Sequence, residues 1–486
     1  MEKAVSDLEK CTSIDIFNFN EDGYNTEFEY ELDEYGMQAA RDGLENLRVS
    51  APFVLAMLPA IEEITVENTG EKFRYKREIE CKLEKATVSE IEIEKKGQLG
   101  YKYVLRVTHD NISIFIALEY IDKKIKLVPF SKHQSKLFCD FPLIGTEDFP
   151  FPVLISSPDF NPTEPRDGVF LICKNSVRVD DEIEVNRNII ETACGLYQQL
   201  LEYVAKKKWD GIYNITKICS YSKKDWYDEE WLEEIIEKCK TAILHTPIVC
   251  TADGAMKALF DEWEGEQIFI TSDENESVRE KIWQLLCYIV PDKIPQREDL
   301  HEWYHSLWAE CNRYTFESLS DRVQDYRNIE TLEGELRELG WKEWLNNYYN
   351  LIDENEKWQE YVKNQQLNIL PNQNGVFCDV GKLCVDVDIL EEYKDILMDM
   401  GVDVKAWLLH LHFRCRKWFQ CAKANNKQTL ELIERQLNEA DGEVRGKVYL
   451  KIVYMYNNSF QGLNEQIQIC NYAKRILELD REMQEV

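Results

Sequence analysis

The stretch ISIFIALE, residues 112–119, carries an apolar side chain at every second position. In an extended chain Ile112, Ile114, Ile116 and Leu118 lie on the same side. This alternation predicts a β-strand with one buried face and one wetter face. Alternating, β-branched runs of the same kind lie at 26–32, 61–67, 72–79, 87–93 and 101–108. The N-terminal part of the chain is therefore predicted to be built on a sheet.

A helix and a change of period complete the predicted fold. Residues 33–48 carry apolar side chains at helical spacing between the first two strands. From about residue 188 the apolar period becomes 3.6, and helices are predicted at 189–204, 231–243, 278–289, 315–339, 391–400, 404–419, 429–439 and 444–456. The fold class is α+β, with a mixed or antiparallel sheet domain followed by a mainly helical region.

Two short segments interrupt the helical pattern with turn chemistry. Residues 246–254 end in Asp-Gly, and residues 370–375 read LPNQNG. Asp-Gly and Asn-Gly pairs favour tight hairpin turns with positive φ, so small β-hairpins are predicted among the helices, in what is at most a weak internal repeat. The predicted domains are 1–185, 186–365 and 366–486.

Composition excludes several classes of function. The net charge of -32 opposes binding to nucleic acids and to anionic membranes. The 15 cysteines include no CxxC pair and many lie in apolar runs, so we expect reduced thiols and no metal site. The longest uncharged apolar run, 51–61, is too short to cross a membrane, and the first residues do not resemble a signal peptide. We expect a cytoplasmic protein.

The segment 138–168, FCDFPLIGTEDFPFPVLISSPDFNPTEPRDG, holds six prolines. Because proline fixes φ and lacks an amide hydrogen, the segment is predicted to be an ordered, extended loop. Arg166 follows a proline directly, so a stiff turn projects its guanidinium. Alternatively, Arg166 pairs with Glu164 or Asp167 and only fastens the loop.

The segment 140–168 resembles the second, middle domain of sacsin-type GHKL ATPases, which are related to the ninety-kilodalton heat-shock chaperone. Residues 147–153, EDFPFPV, are similar to the acidic-Leu-Pro stretch that leads to that chaperone's catalytic-loop arginine. The resemblance extends back through 24–30 and 36–64 and forward to the PNQNG element at 371–375. It implies a left-handed βαβ fold for the sheet domain.

In such ATPases the second domain donates one basic side chain to the γ-phosphate of ATP held by the first. The resemblance implies Arg166 as this catalytic residue, with Lys132 and Lys136 as assisting cofactor-binding residues. The family's glycine-rich ATP-binding motifs do not occur here, since no two glycines are separated by a single residue. ATP and magnesium are therefore expected only through a missing domain or a partner, and the chain alone is not expected to bind ATP tightly.

Three functions follow from these features. The first is an ATPase-completing, chaperone-like module whose partners are a nucleotide-binding domain and protein clients, with self-association possible. The second is a non-enzymatic scaffold or interaction protein. The third is a zinc peptidase, because HEWYH at 301–305 matches HExxH, with His301 and His305 as ligands and Glu302 as general base. A surface helix with one apolar face explains the same motif without metal.

Overall fold

The computed structural model describes residues 29–68, 71–172 and 180–458. It confirms an α+β fold with an N-terminal mixed sheet followed by a mainly helical region. The strand predicted at 26–32 is not formed at 29–32, which are irregular, and 26–28 lie outside the described residues. The other predicted strands are present.

Within the described residues, the N-terminal sheet has nine strands. They are β1 (Glu63–Asn68), β2 (Glu71–Lys82), β3 (Thr87–Lys95), β4 (Gln98–His109), β5 (Ile112–Ile121), β6 (Lys124–Val128), β7 (Leu137–Cys139), β8 (Phe141–Pro142) and β9 (Leu154–Ser156). Their order is β1-β2-β3-β4-β5-β9-β7-β8, and β6 pairs with β5 outside this order. Among the described strands of this sheet, β7 and β9 are the pair that runs parallel. That pair is connected through β8 and a loop at 143–153 without a helix, so the left-handed βαβ unit of the GHKL type is not confirmed.

Two helices cover the two faces of this sheet. Helix α1 (Glu34–Met57) extends beyond the predicted 33–48 because its last two turns are buried against the face that carries Phe115. Helix α2 (Asp180–Lys207) packs against the opposite face, which carries Ile114 and Ile116. The prediction of a wetter face on β5 is therefore wrong at 114–118, where both faces of the strand are buried, whereas 119–121 at its end are exposed.

Ten short α-helices follow α2 in the described part of the chain. They are α3 (Glu229–His245), α4 (Glu276–Cys287), α5 (Leu300–Ser306), α6 (Phe316–Asp325), α7 (Ile329–Glu335), α8 (Trp341–Asp353), α9 (Glu356–Asn364), α10 (Glu391–Asp399), α11 (Asn426–Glu439) and α12 (Gly442–Asn458). Short 3-10 helices occur at Ile212–Ile215, Pro291–Lys293, Arg297–Asp299, Val380–Lys382 and Val404–Trp407.

Two helix predictions in this region are wrong. The predicted helix 315–339 is divided into α6 and α7, because Arg327 adopts a positive φ of 63° between them. The predicted helix 404–419 is only a 3-10 turn followed by irregular chain. There, His410 N–H donates to the Pro371 carbonyl, so its backbone hydrogen bond goes to a distant strand.

Both predicted hairpins are present. The small strands are β10 (Val249–Cys250), β11 (Met256–Lys257), β12 (Phe260–Asp261), β13 (Gly265–Glu266), β14 (Ile270–Thr271), β15 (Arg313–Tyr314), β16 (Asn368–Pro371), β17 (Phe377–Asp379), β18 (Cys384–Val387) and β19 (Ala422–Asn425). Strands β10–β11 and β16–β17 form the hairpins. Gly254 and Gly375 have φ of 86° and 79°, as their turn positions require.

The two hairpins begin two copies of one arrangement. After each hairpin, a strand pairs in parallel with a later strand, β14 with β15 and β18 with β19. The later strand leads directly into α6 or α11, each of which begins with a capping box at Thr315 or Asn425. In matching positions, Ala252 and Gln373 donate their N–H groups to the carbonyls of Ile294 and Leu408. The weak repeat considered from the sequence is therefore a repeat of structure.

The largest apolar cluster extends across the predicted boundary near residue 185. It joins Ile116 of the sheet, Leu200 of α2 and Ile235 of α3. The boundaries at 185 and 365 stay predictions. Within the three described ranges, no helix combines the length and apolar character needed to cross a bilayer.

Candidate functional site

Arg166 lies in a turn that is fixed from both sides. Thr163 N–H donates to the Gly168 carbonyl at 2.9 Å, and Thr163 Oγ1 donates to Asp167 Oδ1 at 2.5 Å. Arg166 N–H donates to the Thr163 carbonyl at 2.9 Å, and its φ is 59°. A Cβ atom on Gly168 would lie 2.1 Å from Trp226 Cε2, so the indole packs directly against the turn. The Pro-rich segment is ordered here, as predicted.

The Arg166 side chain is exposed at the surface. Its Nη2 donates to the Cys139 carbonyl at 2.9 Å. The alternative pairing with Glu164 or Asp167 is not formed, and Asp167 instead accepts from Thr163. Among the residues that the structure describes, no carboxylate lies within ion-pair distance of Arg166. An exposed guanidinium on a fixed turn can receive an anionic group from another molecule.

A cavity of about 460 Å³ lies near the start of β7. It is bounded by the β6–β7 loop, the loop before β9, the segment 213–220 and helix α5. Its lining residues are Pro129, Phe130, Ser131, Lys132, Lys136, Glu147, Asp148, Pro152, Tyr213, Asn214, Lys217, Cys219, Ser220, Glu302, His305 and Ser306. The two predicted cofactor-binding lysines, Lys132 and Lys136, therefore share one cavity.

Arg166 does not line this cavity. Its partner Cys139 ends β7, and Lys136 immediately precedes that strand. Three residues of extended chain span roughly 10 Å, so the two predicted phosphate contacts lie at opposite ends of β7. The structure separates Arg166 from the two lysines.

Lys136 is a buried cation, 5% exposed. Its Nζ lies 3.5 Å from the Pro152 carbonyl oxygen and 4.5 Å from the centroid of the Phe130 ring. Burial lowers the pKa of Lys136 to about 8, with a smaller opposing contribution from Cys219 and a further lowering by Lys217. No carboxylate in the described ranges forms an ion pair with its ammonium group.

The backbone around Lys136 is held on both sides. Lys136 N–H lies 3.1 Å from Thr146 Oγ1, which also accepts from Leu137 N–H at 3.1 Å. The Lys136 carbonyl accepts from Ile155 N–H at 2.9 Å. The lysine therefore enters the cavity from a fixed point of the sheet.

Two of the three carboxylates that line the cavity, Glu147 and Asp148, are engaged elsewhere. Glu147 accepts from Gly145 N–H at 2.9 Å and from Ser135 Oγ at 3.0 Å. Burial disfavours the ionised form of Asp148, but hydrogen bonds from Ser222 and the charge of Lys224 outweigh it and lower its pKa. Neither of these two carboxylates forms an ion pair with the Lys136 ammonium group.

Comparisons with known protein families, curated proteins and solved structures find no match. The candidate function is therefore argued from the side chains themselves.

The HExxH segment is divided between two environments. His301 Nδ1 accepts from Nε of the buried Arg279 at 3.3 Å, whereas Glu302 and His305 line the cavity. The guanidinium of Arg279 lies 4.1 Å from the ring of Tyr304. A cation beside His301 disfavours a zinc ion there, and the described residues contain no group of three His, Cys, Asp or Glu that could hold one. The motif has a structural explanation, since His301 is a partner of Arg279.

The PNQNG element also has a structural role. Gln373 Nε2 donates to Asp386 Oδ2 at 2.8 Å and its Oε1 accepts from Lys394 Nζ at 2.9 Å. Lys394 and Asp386 form an almost fully buried ion pair at 2.6 Å. Lys394 is the fourth residue of α10, and the buried Arg279 is the fourth residue of α4 in the other copy of the repeat. The equivalent positions both hold buried cations.

Sequence reasoning missed Lys217 as a cavity residue and missed the approach of helix α5. Lys217 lies in an irregular segment with no motif around it. Glu302 is 166 positions from Lys136, so no local pattern connects them. Only the packing of α5 against Tyr213, through Trp303 at 6.0 Å between ring centroids, brings them to one cavity.

Proposed function

We propose that this chain is a phosphate-engaging module of a chaperone-like ATPase, completing a nucleotide site that another domain or polypeptide supplies. Arg166 contacts the terminal phosphate of that nucleotide as the catalytic residue. The resemblance of 140–168 to the middle domain of sacsin-type GHKL ATPases supports this assignment. The chain alone is expected not to bind ATP tightly.

The proposal rests on the environment of the Arg166 side chain. It is exposed, it lacks a carboxylate partner among the described residues, and its turn is fixed by Thr163 and Trp226. A planar guanidinium matches the equatorial oxygens of a transferring phosphoryl group. Because the turn already holds this donor in place, the protein does not have to rearrange when negative charge develops on those oxygens. Arginine donors of this kind accelerate phosphoryl transfer by about 10³–10⁵.

The test is the ATPase rate of the polypeptide or domain that carries the ATP pocket, measured with this chain present. Arg166→Ala is expected to remove the stimulation by this chain. If Arg166 acts as a full arginine finger, the ATPase rate should fall by at least about 10³-fold. Arg166→Lys is expected to restore little, because an ammonium group lacks the bidentate fork.

Arg327→Ala is the matched control. Arg327 is also an exposed arginine at positive φ, 63° against 59°, but it lies between α6 and α7. Its replacement is expected to leave the rate within about twofold of wild type, as distant surface substitutions do. An Arg166→Ala rate equal to that of Arg327→Ala would support the non-enzymatic scaffold instead.

A further inference from the structure

The cavity beside β7 contains a cation whose burial the rest of the fold does not explain. Lys136 is 5% exposed, and its nearest protein acceptor is the Pro152 carbonyl at a long 3.5 Å. Removing an ammonium group from water costs several kcal/mol unless an anion compensates. By contrast, the buried Lys394 has Asp386 at 2.6 Å and Gln373 at 2.9 Å. Lys136 is therefore as buried as a structural lysine such as Lys394, but within the described ranges it has no carboxylate partner.

Two more lysines line the same cavity. Lys132 and Lys217 are exposed, and neither forms an ion pair within the ranges that the structure describes. Three carboxylates also line the cavity: Glu147 and Asp148 are hydrogen-bonded to other groups of the protein, and Glu302 forms no ion pair with the lysines within the described ranges. Three ammonium groups therefore line one cavity, beside three carboxylates that do not pair with Lys136, in a protein with a net charge of -32. Three lysines against three carboxylates make this lining more basic than the molecule as a whole, which has 58 basic and 90 acidic side chains.

We propose that this cavity is a binding site of the chain's own for a phosphorylated small molecule, with Lys136 holding the phosphoryl group. Lys132 and Lys217 contact the outer phosphoryl oxygens. Lysine binds phosphate as a point charge, without the bidentate geometry that a planar group demands. The hydroxyl groups of Ser131 and Ser220 lie on the wall and supply further donors.

The size and walls of the cavity define the rest of the ligand. A volume of about 460 Å³ exceeds that of a phosphate ion and lies in the range of small-molecule sites. Pro129, Phe130 and Pro152 provide an apolar wall beside Lys136. The ligand class is therefore a small organic phosphate with an apolar or planar portion.

This site does not depend on the proposed function. Arg166 does not line the cavity, and its contact with Cys139 lies at the far end of β7. The Arg166 hypothesis is tested through the ATPase rate of a partner, whereas the cavity is tested on this chain alone. The two proposals can therefore fail separately.

The experiment is isothermal titration of the full chain with inorganic pyrophosphate at neutral pH. Lys136→Met is expected to weaken binding by at least about tenfold, the effect of one charge-assisted hydrogen bond. Lys132→Met and Lys217→Met are expected to weaken it less, because both groups are exposed and screened. Lys124→Met, an exposed lysine of β6 outside the cavity, is the matched control and is expected to keep wild-type affinity.

Two results would overturn the proposal. One is the absence of measurable pyrophosphate binding by the wild-type chain at millimolar concentration, and the other is a Lys136→Met affinity within about twofold of wild type. If Lys136→Met does not fold, as judged by circular dichroism, the double variant Lys132→Met/Lys217→Met replaces it as the decisive measurement. Unchanged affinity in that double variant would equally contradict the assignment.

Discussion

The Lys136 ammonium group is held in the cavity at an energetic cost. Its pKa falls from 10.5 in the unfolded chain to about 8 because burial disfavours the charged form. The folded state therefore binds its proton more weakly than the unfolded state, and the charged lysine destabilises the fold at neutral pH. A residue that reduces stability and serves a ligand is a common feature of binding sites.

Lys136→Met is expected to stabilise the protein. At about pH 7 the free energy of unfolding should rise by about 1–3 kcal/mol, since the shift in pKa corresponds to about 3 kcal/mol and the lost contact with Phe130 offsets part of it. As pH rises through about 8, the folded wild type loses this proton while the unfolded chain keeps it, so the gain should shrink.

Urea unfolding of both proteins across this pH range measures the effect. Lys132→Met, in the same cavity but exposed, is the control and should change stability by less than about 0.5 kcal/mol. If Lys136→Met lowered stability at neutral pH, the lysine would have a structural role.

At the scale of elements, the turn that presents Arg166 depends on one close contact. Gly168 lies so near the indole of Trp226 that no side chain fits between them. Trp226 is buried, and its carbonyl accepts from Leu171 N–H at 3.0 Å. The segment that follows α2 therefore fixes the turn that precedes it.

Gly168→Ala is expected to destabilise the protein. Its Cβ would lie 2.1 Å from Trp226 Cε2 and 2.3 Å from Cζ2, so the turn or the indole must move, which typically costs about 1–3 kcal/mol. Thermal unfolding measures this loss, and the displaced turn should also lower any stimulation by Arg166.

Gly195→Ala provides the comparison. Gly195 is an exposed glycine inside α2, and a Cβ atom added to it would meet nothing within 4 Å. Alanine should therefore be neutral there or stabilise by up to about 1 kcal/mol. Equal melting temperatures for the two variants would contradict the role given to Trp226.

Elements that depend on local chemistry are predictable from the sequence. The hairpins at Gly254 and Gly375 form because each turn needs a residue with positive φ, which glycine adopts without steric strain. The apolar spacing of 404–419 permits a helix, but the segment does not form one. Its amides instead bond to β16 and β18, which are brought beside it by the second copy of the repeat.

At the scale of the molecule, the sheet and the first helices share one core. Ile114 and Ile116 of β5 pack with Leu200 of α2, across the predicted boundary at 185. Because neither side can bury its apolar face alone, we expect β4, β5 and α2 to unfold together.

Native-state hydrogen exchange measures this coupling. Amides of β5 and α2 should exchange with the same free energy of opening. The exposed β12–β13 hairpin around Trp263 should instead exchange by local opening, with a lower free energy. Exchange of α2 at a much lower free energy than β5 would show that 1–185 is an independent unit.

The fold class, the five long strands β1–β5 and the two hairpin turns follow from the sequence, because alternation and turn residues act over a few neighbouring positions. Long-range packing covers both faces of β5 at 114–118, places Trp226 against the turn of Arg166, buries Lys136, and brings Lys217 and helix α5 to one cavity. Burial and convergence depend on contacts between residues far apart in the chain, and local periodicity carries no information about them.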